Sequence, residues 1–468
     1  MLEYNNIDSW YAQLKNISEK YNLPFIDIDD SEIQLGYGAK SKRINKYEYL
    51  NGFINEESLI NDIKGENIGK IPIVAVTGTN GKTTTVRLIN EVLLYLGYNV
   101  GMSSTGGIYI NKQLIKKGDT TGFYSAREVL KSRNIDIAVL ETARGGIIKN
   151  GIGYKSAKVA IITSLSEDHI GMSGVNNIYD LAEIKGRVIE GLNEDGTLII
   201  RAVDVLYNKF KDKSNLIVFD YNINDTIKKH INNNGKAYYV KNNFIVEQQG
   251  TSIKRIVSIS DIQFAFNGVS KSNVLNIICA IASIKEITNN IEELINAVKK
   301  IKCDIYTNLG RQNIIDFNYF KMIIDYGHNK EAFEEVFSIA NSLKHNKITG
   351  IITAPGDRMN KYIIELGEVA ACYCNKIIIK EQPDLRGRKK GETANLLKEG
   401  VLSKGFNLNN LIICLEEEEA ILTALKSAEK DEIIVSFSQF LYLTFPVINK
   451  YRLENGMDTI GQDLDLSH

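Results

Sequence analysis

The most constraining feature of this sequence is an apolar segment that leads through a glycine-containing turn into a helical pattern. Residues 71–76 are apolar like a buried parallel strand, and apolar residues recur at helical spacing between 86 and 96. Such a turn presents backbone N–H groups at the positive end of a helix, where phosphate groups bind. Lys82 would place a charge on the terminal phosphates, and Thr83 or Thr84 could hold Mg²⁺. The sequence therefore predicts a nucleotide site formed by Gly78, Thr79, Asn80, Gly81, Lys82, Thr83 and Thr84.

The turn is shorter than the general P-loop. Counted back from Gly81 and Lys82, Val76 stands where the first glycine of the P-loop pattern belongs. This spacing weakens the interpretation as an ordinary NTPase. A glycine turn that binds no phosphate is the alternative, although the strand before it and the helix after it favour a nucleotide.

Charge balance and hydropathy narrow the function classes. The chain of 468 residues has 56 basic and 57 acidic residues, so its net charge of −1 gives no overall attraction to nucleic acid or an acidic membrane. No apolar run approaches the ~20 residues that cross a bilayer, and the amino terminus lacks signal-peptide features. We therefore expect a cytoplasmic protein without nucleic-acid or membrane partners. The cysteines are predicted to be buried, reduced thiols: Cys279, Cys303, Cys372, Cys374 and Cys414.

Strand and helix patterns divide the chain into three regions. Residues 1–66 form a polar, weakly patterned leader that is too short for a substantial core. Residues 67–308 alternate apolar strands with helices and include β-rich pieces between about 216 and 262. A second alternation fills residues 309–468. The predicted fold class is α/β, with a P-loop-type, mostly parallel central sheet carrying antiparallel additions, followed by a smaller Rossmann-like α/β domain.

Polar side chains follow two further strands of the central region. Glu141 ends the strand at 136–141 and is a candidate Mg²⁺ ligand, with a surface carboxylate as the alternative. His169 follows Asp168 just beyond the next strand, at an edge where open α/β sheets bind ligands. Lys185 lies on the following helix and is unremarkable in isolation.

Together these residues resemble the Mur ligase superfamily of ATP-dependent amide-forming ligases. The narrower resemblance is to the carboxy-terminal, Mur-like half of the cyanophycin synthetases, from about residue 66 to about residue 440. Nearly all of their ATP-grasp half has no counterpart in this sequence. The resemblance rests on five ordered segments: 71–85, 140–146, 168–171, 355–358 and 385–392.

The resemblance implies a role for each matching residue of the nucleotide site. Lys82 and the threonines after it would contact the phosphates and Mg²⁺. Glu141 would be shared by two Mg²⁺ sites, and His169 would bind the second ion. Lys185 stands where many members carbamylate a lysine with CO₂, which turns a cation into a carboxylate. The implied ATP site is completed by Asn273 and Asn276 at the adenine, Arg311 at the phosphates, and Asp325 and His328 where the second domain closes over the nucleotide.

The implied reaction is amide formation driven by ATP. A substrate carboxylate attacks the γ-phosphorus to give an acyl phosphate, and the amine of an amino acid then displaces phosphate. The implied catalytic residues are Lys82, His169, Lys185 and Arg311. A guanidinium can grip a carboxylate in bidentate fashion, so arginines are the candidate substrate-binding residues: Arg144, Arg386 and Arg388. For the last two, a solvated basic turn is the alternative.

The substrates and partners stay open at this level. The leading hypothesis is the addition of an amino acid such as arginine to a carboxylate of an aspartate-containing peptide or polymer. Peptide ligases of the cell-wall, pseudomurein or polyglutamylation type are alternatives. A different class is a non-catalytic nucleotide-binding partner of a separate ATP-grasp enzyme, and a homo-oligomer is also considered. Intact Lys82, Glu141, His169 and Lys185 favour catalysis, because a binding-only protein would not need both metal sites.

Overall fold

The computed structural model describes residues 4–166, 175–462 and 464, and the chain separates into two compact units. The first unit comprises Met1–Val257 and Leu275–Val298, and the second comprises Ser258–Val274 and Lys299–His468. Within the described residues, the first unit holds a three-stranded and an eleven-stranded sheet, and the second holds a six-stranded sheet.

The amino-terminal region has a small hydrophobic core. Its elements are α1 (Tyr4–Lys20), β1 (Phe25–Asp29), β2 (Glu32–Leu35), β3 (Lys42–Asn45), α2 (Lys46–Leu50) and α3 (Glu56–Lys64). The strands form an antiparallel sheet in the order β1-β2-β3. Trp10, Leu14 and Ile17 recur at helical spacing along α1 and pack with Ile33 and Leu59. The weak overall pattern of this region did not indicate such a core.

The central region is a mostly parallel sheet with helices in its crossovers. Its elements are β4 (Ile73–Thr77), α4 (Lys82–Tyr95), β5 (Val100–Ser104), β6 (Gly107–Ile110), β7 (Gln113–Lys116), α5 (Phe123–Lys131), β8 (Ile137–Glu141), α6 (Arg144–Asn150), β9 (Ala157–Ile162), α7 (Ile178–Gly186), β10 (Leu192–Arg201), α8 (Asp204–Phe210), β11 (Leu216–Phe219), α9 (Asp225–Asn232), β12 (Lys236–Lys241), β13 (Phe244–Gln249), β14 (Ser252–Ser258), α10 (Lys271–Ile284) and α11 (Ile291–Lys300). The strand order is β14-β13-β12-β11-β10-β9-β4-β8-β5-β6-β7. Every residue of β4 is buried, as expected for a central strand of a parallel sheet that is covered on both faces.

The antiparallel additions lie at both edges of this sheet. β11 and the start of β12 still pair in parallel, so antiparallel pairing begins only with the β12–β13 hairpin and not near residue 216. A second antiparallel addition, β6 and β7 beside β5, was not predicted. The predicted α/β fold class, with a large, mostly parallel sheet and a smaller second one, is confirmed.

The second unit is a smaller α/β domain. Its elements are β15 (Asn313–Asp316), β16 (Lys321–Asp325), α12 (Lys330–Ser342), β17 (Lys347–Ile352), α13 (Asn360–Tyr373), β18 (Lys376–Ile379), α14 (Glu392–Ser403), β19 (Leu411–Ile413), α15 (Glu417–Lys426), β20 (Glu432–Phe437) and α16 (Leu441–Glu454). The strand order is β15-β16-β20-β17-β18-β19, and the pairs are parallel except for β15 with β16. Alternate residues of β16 fall into two buried clusters, with Ile323 in one and Met322 and Ile324 in the other. Both faces of this sheet are therefore covered.

Among the described residues, no helix combines the length and apolarity needed to cross a membrane. All five cysteines are free thiols, and four are buried. The prediction of burial was wrong for Cys372, which is exposed on α13. Cys372 is the next-to-last residue of that helix and lies on its solvent-facing side.

Candidate active site

The turn between β4 and α4 requires glycine at two positions. Gly78 has a φ of +151°, and a Cβ atom there would lie 2.0 Å from Thr163 Oγ1. Gly81 has a φ of +85°, and a Cβ atom there would lie 2.6 Å from Asn276 Oδ1. Only glycine combines such backbone angles with so little space. α4 therefore begins at Lys82 with the turn at its positive end, which is the arrangement that binds phosphate.

The end of β9 fixes this turn through two hydroxyl groups. Thr163 Oγ1 donates to the Asn80 carbonyl at 2.6 Å, and Ser164 Oγ accepts from the Asn80 N–H at 2.7 Å. The Ser164 carbonyl also accepts from the Thr79 N–H at 3.1 Å. Sequence reasoning assigned neither hydroxyl to the site, although a Thr-Ser pair directly after a strand at this edge is a visible signal. We call this arrangement the β9 clamp.

Lys82 opens α4 directly beside the turn. Its Nζ donates to the Thr79 carbonyl at 3.0 Å, so the ammonium group lies against the backbone that would cradle phosphate. Thr83 and Thr84, the next two residues, are both buried. The structure therefore brings together the described residues of the predicted phosphate site.

Glu141 lies at the end of β8, against the first turn of α4. The residue is 2% exposed, its Oε1 accepts from Thr83 Oγ1 at 3.1 Å, and its Oε2 accepts from the Thr105 N–H at 3.2 Å. Thr105 Oγ1 lies 3.0 Å from Thr83 Oγ1. A carboxylate with adjacent hydroxyls supplies the oxygen ligands that Mg²⁺ prefers, so these residues fit the ion. Thr105 was missed by sequence reasoning, and its signal was the Ser-Ser-Thr-Gly run that ends β5.

His169, the predicted ligand of the second Mg²⁺ ion, lies outside the described residues. In the part of the chain that the structure describes, no group of three or more His, Cys, Asp or Glu side chains could hold a metal ion. A Mg²⁺ ion held by Glu141 and Thr83 would take its remaining ligands from phosphate oxygens and water, as Mg²⁺ commonly does.

Lys185 brings α7 onto the same turn. The residue is 5% exposed, and its Nζ donates to the Gly78 carbonyl at 2.7 Å. Lysine is rarely buried to this extent unless its amine has a specific partner. The sequence places Lys185 107 residues after Gly78, yet the fold puts its amine at the phosphate turn.

The two asparagines of α10 have different surroundings. Asn276 is buried, and its Oδ1 accepts from Thr85 Oγ1 at 3.1 Å, next to the phosphate turn. Asn273 belongs to the second unit, where its Nδ2 donates to the Phe264 carbonyl at 3.0 Å and to Gln312 Oε1 at 2.9 Å. A contact of either asparagine with an adenine stays a prediction.

Arg311, Asp325 and His328 lie together in the second unit. The Arg311 guanidinium carbon is 3.9 Å from the centre of the Tyr326 ring, and the His328 ring lies edge-on to the same tyrosine. Asp325 is buried, and its carboxylate accepts from the N–H groups of Gln312 at 2.9 Å and Gly327 at 2.6 Å. Burial raises the pKa of Asp325, and the Arg311 charge and these hydrogen bonds oppose that rise.

The predicted substrate arginines differ in how firmly they are held. Arg388 donates to the carbonyls of Gly356 at 2.6 Å and Arg358 at 2.7 Å, and it also pairs with Glu392. It therefore connects the loop after β17 to the loop after β18. Arg386 pairs with Asp357 at 2.9 Å and keeps 34% of its side chain exposed. Of these two arginines, Arg386 is therefore the better placed to receive a substrate. Arg144 begins α6 in the first unit and is half-buried.

Buried polar atoms without a hydrogen-bond partner mark the same two loops. Among the described residues, these atoms include Thr353 Oγ1, Asp357 Oδ1, and both Nε2 and Oε1 of Gln382. Leaving such groups unpaired is costly, so each calls for an explanation such as a ligand. Thr353 and Gln382 follow β17 and β18, at the edge where α/β sheets bind ligands. Sequence reasoning had assigned none of these three residues to the site.

A separate cavity of about 430 Å³ lies in the first unit. It is lined by the residues that begin β11 and β12, at the amino ends of these strands, whereas the phosphate turn lies at the carboxyl edge. Within its lining, Glu286 accepts from Thr197 at 2.9 Å and from Lys236 at 3.4 Å. We therefore place the chemistry at the carboxyl edge and not in this cavity.

Comparison with known families identifies the two units of this architecture. The Mur ligase middle domain matches residues 76–284, and the domain described as Mur ligase, glutamate ligase domain matches residues 310–440. The chain belongs to the Mur ligase family. This Mur ligase family member is 33% identical over 388 residues to the cyanophycin synthetase of Crocosphaera subtropica. The matched region covers 82% of this chain and 44% of that relative. The chain thus spans less than half the length of its cyanophycin synthetase relatives.

Other relatives match nearly end to end. The UDP-N-acetylmuramoyl-L-alanyl-D-glutamate–2,6-diaminopimelate ligase of Buchnera aphidicola is 28% identical over 486 residues, covering 93% of this Mur ligase family member and 92% of the relative. Among solved structures, E. coli FolC in complex with ADP superposes with a TM-score of 0.60 at 16% identity, covering 82% of the chain and 90% of FolC. At that identity, the likeness to FolC shows the fold alone.

Proposed function

We propose that the chain is an ATP-dependent ligase that activates a substrate carboxylate as an acyl phosphate and couples it to the amine of an amino acid. The observation that carries this proposal is the arrangement at the carboxyl edge of the central sheet. There the glycine turn, the Lys82 ammonium group and the Glu141–Thr83 pair meet at the first turn of α4. The family includes amide-forming ligases, and these groups suit the activation step of such a reaction.

The first step transfers the γ-phosphoryl group of ATP. A carboxylate oxygen of the substrate attacks the γ-phosphorus, the bond to the β–γ bridging oxygen breaks, and ADP leaves. Such transfers depend mainly on positioning and on neutralising charge. Lys82 and the N–H groups of the turn would neutralise and orient the phosphates, and Arg311 has the further phosphate contact that the family resemblance implies. Bound Mg²⁺, held by Glu141 and Thr83, would neutralise further phosphate charge.

The second step needs an amino acid with a free amine. The ammonium group of the amino acid loses one proton, the resulting amine attacks the acyl carbon, the C–N bond forms, and phosphate leaves with the electron pair of the C–O bond. The nitrogen then loses a second proton, which water or the departing phosphate accepts. The unpartnered atoms beside β17 and β18 match a zwitterionic amino acid. Asp357 Oδ1 and Gln382 Oε1 can accept from its ammonium group, whereas Gln382 Nε2 and Arg386 can donate to its carboxylate.

Lys185 has a proposed role as a carbamate. The ammonium group would lose one proton, its Nζ would then bond to the carbon of CO₂ and lose a second proton, and a carboxylate would replace the cation beside the turn. That carboxylate could hold a second Mg²⁺ ion, as the family resemblance implies. The support from geometry is the buried position of Nζ at the Gly78 carbonyl.

Arginine added to an aspartate-containing peptide or polymer is our first choice of substrates, because cyanophycin synthetases resemble most of the chain. Cell-wall, pseudomurein and polyglutamylation-type couplings are the alternatives, since diaminopimelate-adding ligases also match the chain and FolC shares its fold. The chain spans only part of the cyanophycin synthetases, so their complete activity is not assumed for it.

A substrate panel tests the proposed function. Purified protein is mixed with ATP, Mg²⁺, each amino acid in turn, and an aspartate polymer, a glutamate acceptor or a cell-wall peptide. We expect phosphate release that requires both an amino acid and an acceptor, together with a mass increase of the acceptor by one residue. Binding of ATP without turnover in any combination would reject the ligase and support a non-catalytic, nucleotide-binding partner of another enzyme.

Replacing Arg386 with alanine should weaken binding of the amino acid. We expect the KM for the amino acid to rise about 10- to 100-fold with little change in kcat, because loss of the arginine–carboxylate contact weakens binding in the ground state and the transition state alike. Lys390→Ala is the matched control, since Lys390 is an exposed neighbour that pairs with Glu416 on the surface. Steady-state kinetics with varied amino acid would measure both variants, and an unchanged KM for Arg386→Ala would exclude this residue from the subsite.

A further inference from the structure

Gln312, the residue after Arg311, has an unusual backbone conformation for its type. Its φ is +53°, in the left-handed region that favours glycine, and the residue is 7% exposed. Residues with side chains hold such a conformation only where their surroundings enforce it, and these positions cluster at functional sites. The contacts that enforce it here are therefore informative about the Arg311 turn.

The Gln312 side chain is fully engaged with the start of α10. Its Oε1 accepts from Ser270 Oγ and from Asn273 Nδ2, both at 2.9 Å. Its Nε2 donates to Ser272 Oγ at 3.0 Å. These contacts lie within the second unit, and Glu335 anchors the same helix start by accepting from the Ser272 N–H at 2.9 Å. The amide of Gln312 is thus fixed at three points.

The Gln312 backbone makes a separate contact beside Arg311, the residue predicted to contact the phosphates. Its N–H donates to Asp325 Oδ2 at 2.9 Å, and burial raises the pKa of this carboxyl group while the Arg311 charge opposes the rise. Gln312 is therefore held by Asp325 through its backbone N–H and by the start of α10 through its side-chain amide. The Arg311 side chain extends from the residue before Gln312, and its guanidinium group stacks on the Tyr326 ring.

We propose that Gln312 is a positioning residue, which orients Arg311 for the ATP phosphates by fixing the left-handed turn to the start of α10. Asn273 is part of the same device, because its amide is bonded to Gln312 and to the Phe264 carbonyl. The inference rests on the proposed role of Arg311 in phosphate binding. It adds a group that touches no substrate and acts through Arg311.

A double-mutant cycle tests this inference. The full-length protein is compared as wild type, Gln312→Leu, Arg311→Ala and the double variant, by calorimetric titration with AMPPNP and Mg²⁺. Leucine keeps the volume of the side chain and removes its hydrogen bonds. We expect Gln312→Leu to weaken AMPPNP binding about 10-fold in the wild-type background and less than about 2-fold once Arg311 is absent. Equal losses in both backgrounds, or no loss in either, would overturn the proposal.

Two further variants separate positioning from stability. Ser272→Ala removes one partner of Gln312 with a minimal change, and we expect about a 3-fold loss that also disappears without Arg311. This variant keeps the cycle informative if Gln312→Leu does not fold. Asn449→Leu removes the paired hydrogen bonds to Ile460 elsewhere in the second unit. It should lower Tm but leave AMPPNP affinity within about 2-fold.

The calorimetric readout also separates this inference from the proposed function. Turnover is measured with the substrate panel, whereas AMPPNP binding needs no acceptor and no amino acid. A wild-type protein without ligase activity but with a coupled Gln312–Arg311 effect would reject the function and keep the positioning role. A protein with ligase activity, but with additive binding losses in the Gln312 and Arg311 variants, would keep the proposed function and reject the positioning role.

Discussion

Replacing Lys82 with alanine is expected to lower kcat/KM for ATP about 10³-fold, because a charge aimed at the transferred phosphoryl group is lost at the transition state. The fold should survive, since Lys82 is half-buried at the first turn of α4 and its Nζ donates to the Thr79 carbonyl of the turn itself. The measurement is the rate of acceptor-dependent phosphate release, together with far-UV circular dichroism and Tm for the variant.

Lys228→Ala is the matched control for this charge. Lys228 lies on α9 in the same unit, its side chain is 57% exposed, and it pairs with Asp225 on the surface. Exposed pairs of this kind contribute little, so the control should stay within about 2-fold of the wild-type rate. A Lys82→Ala protein that retained a similar rate would remove the phosphate turn from the mechanism.

Replacing Lys185 with alanine is expected to lower kcat about 10²- to 10³-fold, because the variant loses a charged group at the phosphate turn. Lys185→Arg should be impaired to a similar degree. Arginine keeps a positive charge and donors for the Gly78 carbonyl, but its guanidinium does not form the carbamate. Adding bicarbonate should not restore either variant, whereas CO₂-depleted wild-type protein should regain activity when bicarbonate is returned.

The arginine variant decides between two roles for this lysine. Near-wild-type rates in Lys185→Arg would show that a cation bonded to Gly78 is sufficient, and the carbamate role would be wrong. Wild-type rates in Lys185→Ala would exclude both roles. Mass spectrometry under native conditions offers a separate check, since a carbamate adds the mass of one CO₂ to the intact protein.

Local patterns predicted much of the fold. The strand before the phosphate turn was expected at 71–76 and is β4 at Ile73–Thr77, because a run of buried apolar residues is typical of parallel strands. The turn itself was predictable because glycine readily adopts the positive φ angles that Gly78 and Gly81 have. Five apolar runs of the second unit were likewise expected within two residues of observed strands, with β20 expected at 433–437 and observed at Glu432–Phe437, whereas β15 was not predicted.

Contacts between distant residues could not be predicted in this way. Thr85 and Asn276 are 191 positions apart, and no periodicity of the chain relates them. Thr105 was missed for the same reason, since its place beside Glu141 depends on β5 pairing with β8. The amino-terminal core is a different case. Trp10, Leu14 and Ile17 have plain helical spacing, but the polar residues around them concealed it.

The β9 clamp has a consequence for how the nucleotide is recognised. A short glycine turn would ordinarily sample many conformations, and a ligand would have to order it on binding. Because Thr163 and Ser164 hold Asn80 by side-chain hydrogen bonds, that entropy is lost during folding instead. The turn is therefore preorganised, and we expect nucleotide affinity and the thermal stability of the first unit to depend on the same hydroxyl groups.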